Sequence, residues 1–182
     1  SNHDGIELIP SEEVNMIDKR QAYEESMRVP MLAWAPGMIE PGTVIEVNVM
    51  NIDMTPTWLD LAGGAMPEDH TVDGQSFLPL LRGESIPDWR TTSVYQYFWE
   101  DAFPQIPTTY AIRGDRYKYI YYHWLWDQNE FYDLETDPQE MHNLIDAPEH
   151  QGRVQQMKEE MFDIFEETGA TDVRFQRPFP FR

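Results

Sequence analysis

Two textures divide the hydrophobic pattern of this chain. From about residue 92, short runs rich in aromatic and β-branched residues recur: VYQYF (94–98), TYAIR (109–113), YKYIYYHW (117–124) and EFYDL (130–134). Polar turns separate them, with Gly114-Asp115 between the second and third. Such spacing predicts an antiparallel sheet of about four strands. Val154, Met157, Met161, Ile164 and Phe165 then follow helical spacing. They predict an amphipathic helix over 149–168 that ends at Gly169 and covers one sheet face. Residues 170–182, with Pro178 and Pro180, read as an irregular tail.

The first half has a different pattern. Residues 1–28 are polar and patternless and read as loop. VPMLAWA (29–35) is a nearly continuous apolar run, which predicts a strand buried on both faces, as in a parallel sheet. Thr55 is placed to cap a helix with Pro56 at its first position, Trp58, Leu59 and Leu61 give that helix an apolar side, and Gly63-Gly64 stop it. SFLPLL (76–81) predicts a short helical turn ended by Gly83. One buried-type strand and one or two helices cannot close a layered domain. Residues 1–90 therefore read as the end of a larger domain, and residues 91–182 as a self-contained α+β unit. The orphan strand edge would invite pairing with another copy of the chain.

Charge narrows the function. The 182 residues hold 13 Lys and Arg against 33 Asp and Glu, a net charge of −20. That balance argues against nucleic acid and against anionic membrane as partners. No apolar run approaches the ~18 residues of a membrane span. The chain has no cysteine, so disulfides, thiolate metal sites and a cysteine nucleophile are excluded from it. It opens on Ser1 rather than Met, with no basic or apolar leader pattern in its first residues. This predicts a processed or excised product without a signal peptide.

Three stretches carry candidate chemistry. Asp18-Lys19-Arg20-x-x-Tyr23-Glu24-Glu25-Ser26-x-Arg28-Val29-Pro30 concentrates cations in an acidic protein, and a lysine just before a strand can bind an anion in a cleft. The alternative is a set of solvated loop charges paired with neighbouring glutamates. His3-Asp4 is a metal-ligand pair in chemical type, or simply a frayed end. His123-Trp124-x-Trp126-Asp127 at a strand end offers an aromatic platform for a sugar, or a packed hairpin tip. No G-x-S-x-G, P-loop, G-x-G-x-x-G or H-E-x-x-H motif is present.

Read together, several blocks resemble the C-terminal portion of a type I sulfatase. They are Lys19-x-x-x-Tyr23-Glu24-x-x-x-Arg28-Val29-Pro30, Pro36-Gly37 and Pro41-Gly42, Asn51 to Gly63, Asp73 to Gly83, Ala111 to Ile120, and Phe131 to Leu144. They lie in the family's order over about residues 18–165. The resemblance implies the fold class α/β (α+β). The incomplete end of an alkaline-phosphatase-like α/β domain (1–90) would precede a small subdomain (91–182) whose four-stranded antiparallel sheet packs on a C-terminal helix.

The resemblance also implies chemistry. Such enzymes use a formylglycine nucleophile made from a C/S-x-P/A-x-R motif and a calcium ion held by Asp and Asn or His. A lysine of the K-x-x-x-Y-E segment contacts the sulfate. Here that lysine is Lys19, implied to be catalytic and substrate-binding. His123, Trp124 and Trp126 would extend the substrate site, and Asn2, His3 and Asp4 are the candidate metal ligands. This chain lacks the formylglycine motif, and Glu12-Glu13-Val14-Asn15 stands where a Gly-Glu-His-Gly stretch is common. The implied function is the C-terminal part of a sulfatase acting on a sulfated small molecule or glycan, inactive alone, and the family implies a periplasmic or secreted location. The alternatives are a phosphonate monoester or phosphodiester hydrolase and a non-catalytic carbohydrate-binding or assembly module.

Overall fold

The computed structural model describes residues 20–170 apart from residues 68, 71, 126 and 127. Pro30–Ser93 form one compact unit; the described residues up to Val29 and from Val94 onward form another.

The second unit is built on a four-stranded sheet of order β1-β2-β3-β4: β1 (Ser93–Tyr97), β2 (Thr109–Arg113), β3 (Tyr117–Tyr122) and β4 (Glu130–Asp133). β2 pairs antiparallel with β3, placing Ala111 opposite Ile120 and Arg113 opposite Lys118. β3 pairs antiparallel with β4, placing Lys118 opposite Tyr132. These are the strands expected from the aromatic runs, each within two residues of its predicted ends.

Strand alternation gives the sheet two different faces. Tyr110, Ile112, Tyr119 and Phe131 share one face with Met157, Met161 and Phe165 of the long helix Gln151–Glu167. Met157 and Met161 are fully buried, and each contributes about 1.5–3 kcal/mol by leaving water. Phe165 meets the Tyr110 ring edge-on, with centroids 5.3 Å apart. The helix closes as the sequence predicts. Gly169 takes φ +69°, its N–H bonds to Glu166 O, and Ala170 N–H bonds to Phe165 O at 2.7 Å. This paired C-terminal cap requires a left-handed residue that glycine adopts without strain.

The other face carries Ala111, Ile120 and Tyr132, covered by Ala22, Tyr23 and Met27. Those covering residues belong to a segment expected to be loop. Instead Glu24–Met27 form one helical turn, α1. Its isolated hydrogen bonds are too few to hold it; packing of Ala22, Tyr23 and Met27 on the sheet supplies the rest.

The unit Pro30–Ser93 contains α2 (Met54–Leu61) and α3 (Leu78–Leu81), preceded by a tight turn at Asn51–Asp53; the long helix Gln151–Glu167 is α4. Its polar centre is Asp53, which is fully buried. The Asp53 carboxylate accepts Met50 N–H at 2.7 Å, Gln75 N–H at 2.9 Å and Arg90 Nη1 at 2.5 Å. Thr57 donates to Asp53 O and accepts Phe77 N–H, tying α2 to the approach of α3. The helix thus begins one residue before Thr55, and Asp53 rather than Thr55 organises its start.

Residues 29–35 correct the sequence reading more sharply. They form no strand, and Leu32 and Trp34 are 97% and 88% exposed. A strand needs ladder partners for its N–H and C=O groups. No described strand pairs with this run, and Pro30 and Pro36 cannot donate. The strand edge expected to promote self-pairing is accordingly not formed there.

Candidate functional site

The segment that follows Lys19 in the chain docks on the second sheet face through buried charge. Register places the cations Arg113 and Lys118 directly opposite one another. Such a like-charged pair is unfavourable without an anion. Glu24 of α1 supplies it: its carboxylate lies 2.7 Å from Lys118 Nζ and 3.1 Å from Arg113 Nε. Lys118 has no solvent exposure. Its remaining partners are Glu140 Oε1 at 2.7 Å and Ala22 O at 3.0 Å. Glu140 Oε2 in turn accepts Glu24 N–H at 2.6 Å.

The two carboxyls titrate in opposite directions. Burial alone would raise Glu24, but Lys118 and Arg113 outweigh it and hold the group below its ordinary value. Burial dominates at Glu140 and pushes it up, against the pull of Lys118 and the Glu24 N–H. Of the two, the glutamate of α1 is the one whose ionised form the cluster favours.

Tyr23, beside Glu24, uses a second network. Its hydroxyl donates to Glu130 Oε1 at 3.0 Å, as does that of Tyr122 at 3.1 Å, while Tyr132 donates to Oε2 at 2.7 Å. Burial, then the Glu130 charge, pushes the Tyr23 phenol up to about 12, and the same causes raise Tyr122 and Tyr132. All three phenols consequently stay as donors at neutral pH. Tyr122 and Glu130 also bracket the loop that carries His123 and Trp124.

In that loop His123 is half-buried, tilted against Tyr110 with centroids 6.1 Å apart and edge-on to Tyr121. Its N–H bonds to Thr108 O. Trp124 stands edge-on to His123 at 4.8 Å and is 79% exposed. It also holds φ +69°, a left-handed conformation that is costly for a bulky side chain. The Trp124 ring is thus exposed on a loop whose backbone is strained at that residue.

Of the residues singled out in the sequence, the structure brings His123 and Trp124 together. Lys19, Trp126, Asn2, His3 and Asp4 lie outside the described residues. Among the described residues, no group of three or more His, Asp or Glu side chains is arranged to hold a metal ion, and no helix is long and apolar enough to cross a membrane. Sequence reading missed Lys118, Arg113, Glu140 and Glu130. The facing cations were the available signal, because a tight turn at Gly114-Asp115 sets Arg113 against Lys118.

Solved structures place the architecture. A protein in complex with its substrate D-glucosamine-2-N,6-O-disulfate superposes with TM-score 0.61 and 29% identity over 68% of this chain and 25% of its own. A phosphonate monoester hydrolase from Silicibacter pomeroyi also gives TM-score 0.61, with 26% identity over 74% of this chain and 28% of its own. The fold is that of the C-terminal portion of sulfatases of the alkaline-phosphatase-like class. Within that class, the chain belongs to the family described as "N-sulphoglucosamine sulphohydrolase, C-terminal", whose model matches residues 12–167. It is 34% identical over 153 residues to an N-acetylglucosamine-6-O-sulfatase of Bacteroides thetaiotaomicron, covering 83% of this chain and 26% of that protein. The chain thus spans about a quarter of the length of these relatives.

Proposed function

We propose that the protein carrying this chain hydrolyses a sulfate ester on a glucosamine-type glycan, and that Lys19 contacts the sulfate. The supporting observation is family membership over residues 12–167 together with the likeness to an N-acetylglucosamine-6-O-sulfatase. The Lys19 ammonium would neutralise the sulfate's charge, including the negative charge that grows on the departing ester oxygen as the S–O bond breaks. Trp124, with Trp126 and His123, would stack on the sugar and orient the ester. Tyr23 suits this division of labour, because it lies four residues from Lys19 and bonds to Glu130 at the foot of the aromatic loop.

The formylglycine nucleophile and calcium ion expected from the resemblance would reside on residues other than those described. Without a cysteine or a C/S-x-P/A-x-R motif, the 182 residues by themselves would be inactive. Lys19→Ala in the natural polypeptide should lower turnover of N-acetylglucosamine-6-sulfate by about a hundredfold or more. Unchanged kinetics would refute the role of Lys19. A second reading, phosphonate monoester or phosphodiester hydrolysis, is supported by the similarity to the Silicibacter enzyme. The ratio of kcat/KM for an aryl sulfate to that for an aryl phosphodiester separates the two. A non-catalytic glycan-binding role would instead appear as Trp124-dependent glycan binding without turnover of either ester.

A further inference from the structure

We infer that Asn129, braced by Asn143, is a positioning residue for Trp124. The inference rests on the reading of Trp124 as a sugar contact. Tyr122 to Leu125 form a hydrogen-bonded turn, closed by Leu125 N–H to Tyr122 O at 3.1 Å. Trp124 is its third residue and has φ +69°, whereas His123, the second, has no positive φ. That combination is the type II pattern, whose third position favours glycine. A bulky residue persists there only where its surroundings impose the conformation. Trp124 is 79% exposed, so little burial offsets the strain.

The surroundings that impose it grip the backbone on both sides of the ring. The β3–β4 ladder ends at Ile120 opposite Glu130. Beyond it, Tyr122 N–H meets a side chain instead and donates to Asn129 Oδ1 at 3.1 Å. His123 N–H is taken by Thr108 O, and Gln128 N–H by Leu125 O, each at 2.9 Å. Asn129 is itself fixed by Asn143, whose Nδ2 donates to Asn129 O at 3.1 Å. The Oδ1 of Asn143 accepts Phe131 N–H and Ile145 N–H, each at 3.0 Å. Asn143 therefore ties the end of the aromatic loop to β4 and to the approach of α4. Removing Asn129 Oδ1 frees the first residue of the turn, and the strained third residue can then relax and carry its ring away.

A double-mutant cycle in the natural polypeptide tests this. Asn129→Ala and Asn143→Asp are each made with Trp124 present and in Trp124→Ala. Asn143→Asp keeps both acceptor roles of that side chain and deletes its donor to Asn129 O. Hydrolysis of N-acetylglucosamine-6-sulfate is followed, with kcat and KM resolved. Trp124→Ala should raise KM by about tenfold, the upper range for one aromatic contact. That loss is a ceiling, because a misplaced ring cannot cost more than an absent one. With Trp124 present, Asn129→Ala should raise KM by about threefold to tenfold and Asn143→Asp by about threefold. In the Trp124→Ala background both should leave KM within about twofold.

Equal factors in both backgrounds would overturn the inference, as would a KM unchanged by Asn129→Ala with Trp124 present. A fall in kcat alone, at constant KM, would mark a general effect on the fold and overturn it as well. Should Asn129→Ala fail to fold, the Asn143→Asp cycle decides by the same outcomes. If Trp124→Ala itself leaves KM unchanged, the reading of Trp124 as a sugar contact fails and takes the inference with it. That pattern is distinct from a loss in Trp124→Ala that multiplies with the others, which would spare Trp124 and reject Asn129.

Discussion

Gly74 shows how closely the unit Pro30–Ser93 is packed. A Cβ at this position would stand 2.1 Å from Ile52 O, 2.6 Å from Ile52 C and 3.1 Å from Asp53 N. All three are backbone atoms, so no side chain can swing aside. The glycine is required by close approach, and its φ is not in the left-handed region. Gly74→Ala must push residues 74–75 away from the turn at 51–53. That movement stretches Gln75 N–H from the buried Asp53 carboxylate, now at 2.9 Å. Overpacking costs about 1–3 kcal/mol, and loss of a hydrogen bond to a buried charge about 1.5–3 kcal/mol. Together they give roughly 2.5–6 kcal/mol. At about 2–4 °C per kcal/mol for a protein of this size, the melting temperature should fall by at least about 5 °C. Thermal unfolding followed by tryptophan fluorescence is the assay, since Trp58 and Trp89 lie in the same unit. Gly152→Ala is the control. Its Cβ would meet nothing within 4 Å in α4, and a gain of about 0.5–1 kcal/mol is expected there. A Gly74→Ala protein melting within about 2 °C of its parent would refute the packing argument.

Two further predictions concern charge and strain. Hydrogen bonds from Arg116 hold the Asp133 carboxyl below its ordinary value of 3.8. The stability this lends is complete above that value and is lost as pH falls through the lower native one. Asp133→Asn should therefore flatten the acid limb of the melting temperature against pH, and an unaltered limb would show that the pair contributes nothing. Trp124→Gly should raise stability by about 1 kcal/mol by removing a left-handed bulky residue, while abolishing any glycan affinity that depends on the ring. A fall in melting temperature would show instead that the contact with His123 outweighs the strain.

What the sequence disclosed was whatever nearest neighbours along the chain decide. Alternation in TYAIR and YKYIYY, the i, i+3, i+4 spacing of Val154 to Phe165, and Gly169 as a stop are local signals, and β2, β3 and α4 followed from them. Glu24 could not be read this way. On spacing it looks like a solvated partner of Lys19, but its actual partners lie 89 residues away at Arg113 and 116 away at Glu140. The run at 29–35 failed for the opposite reason. Its composition suits a strand, yet strand formation is a property of a pair, and no described strand pairs with it. At the aromatic site, His123 and Trp124 were legible as residue types at a strand end. The strained backbone that sets Trp124 outward was not, because nothing in a Trp predicts a positive φ.

The long span between Glu24 and its partners also orders events in time. On a ribosome adding about 5–20 residues per second, α1 emerges roughly 6–23 s before Glu140 exists to receive its N–H. Through that interval the Tyr23-Glu24 stretch has no template. Once the β2–β3 hairpin forms, it carries two facing cations until the early segment returns. Docking of residues 22–24 therefore closes a loop of 116 residues between Glu24 and Glu140. That docking cannot be complete before Glu140 has been made, whereas the β2–β3 hairpin closes over only a few residues of chain.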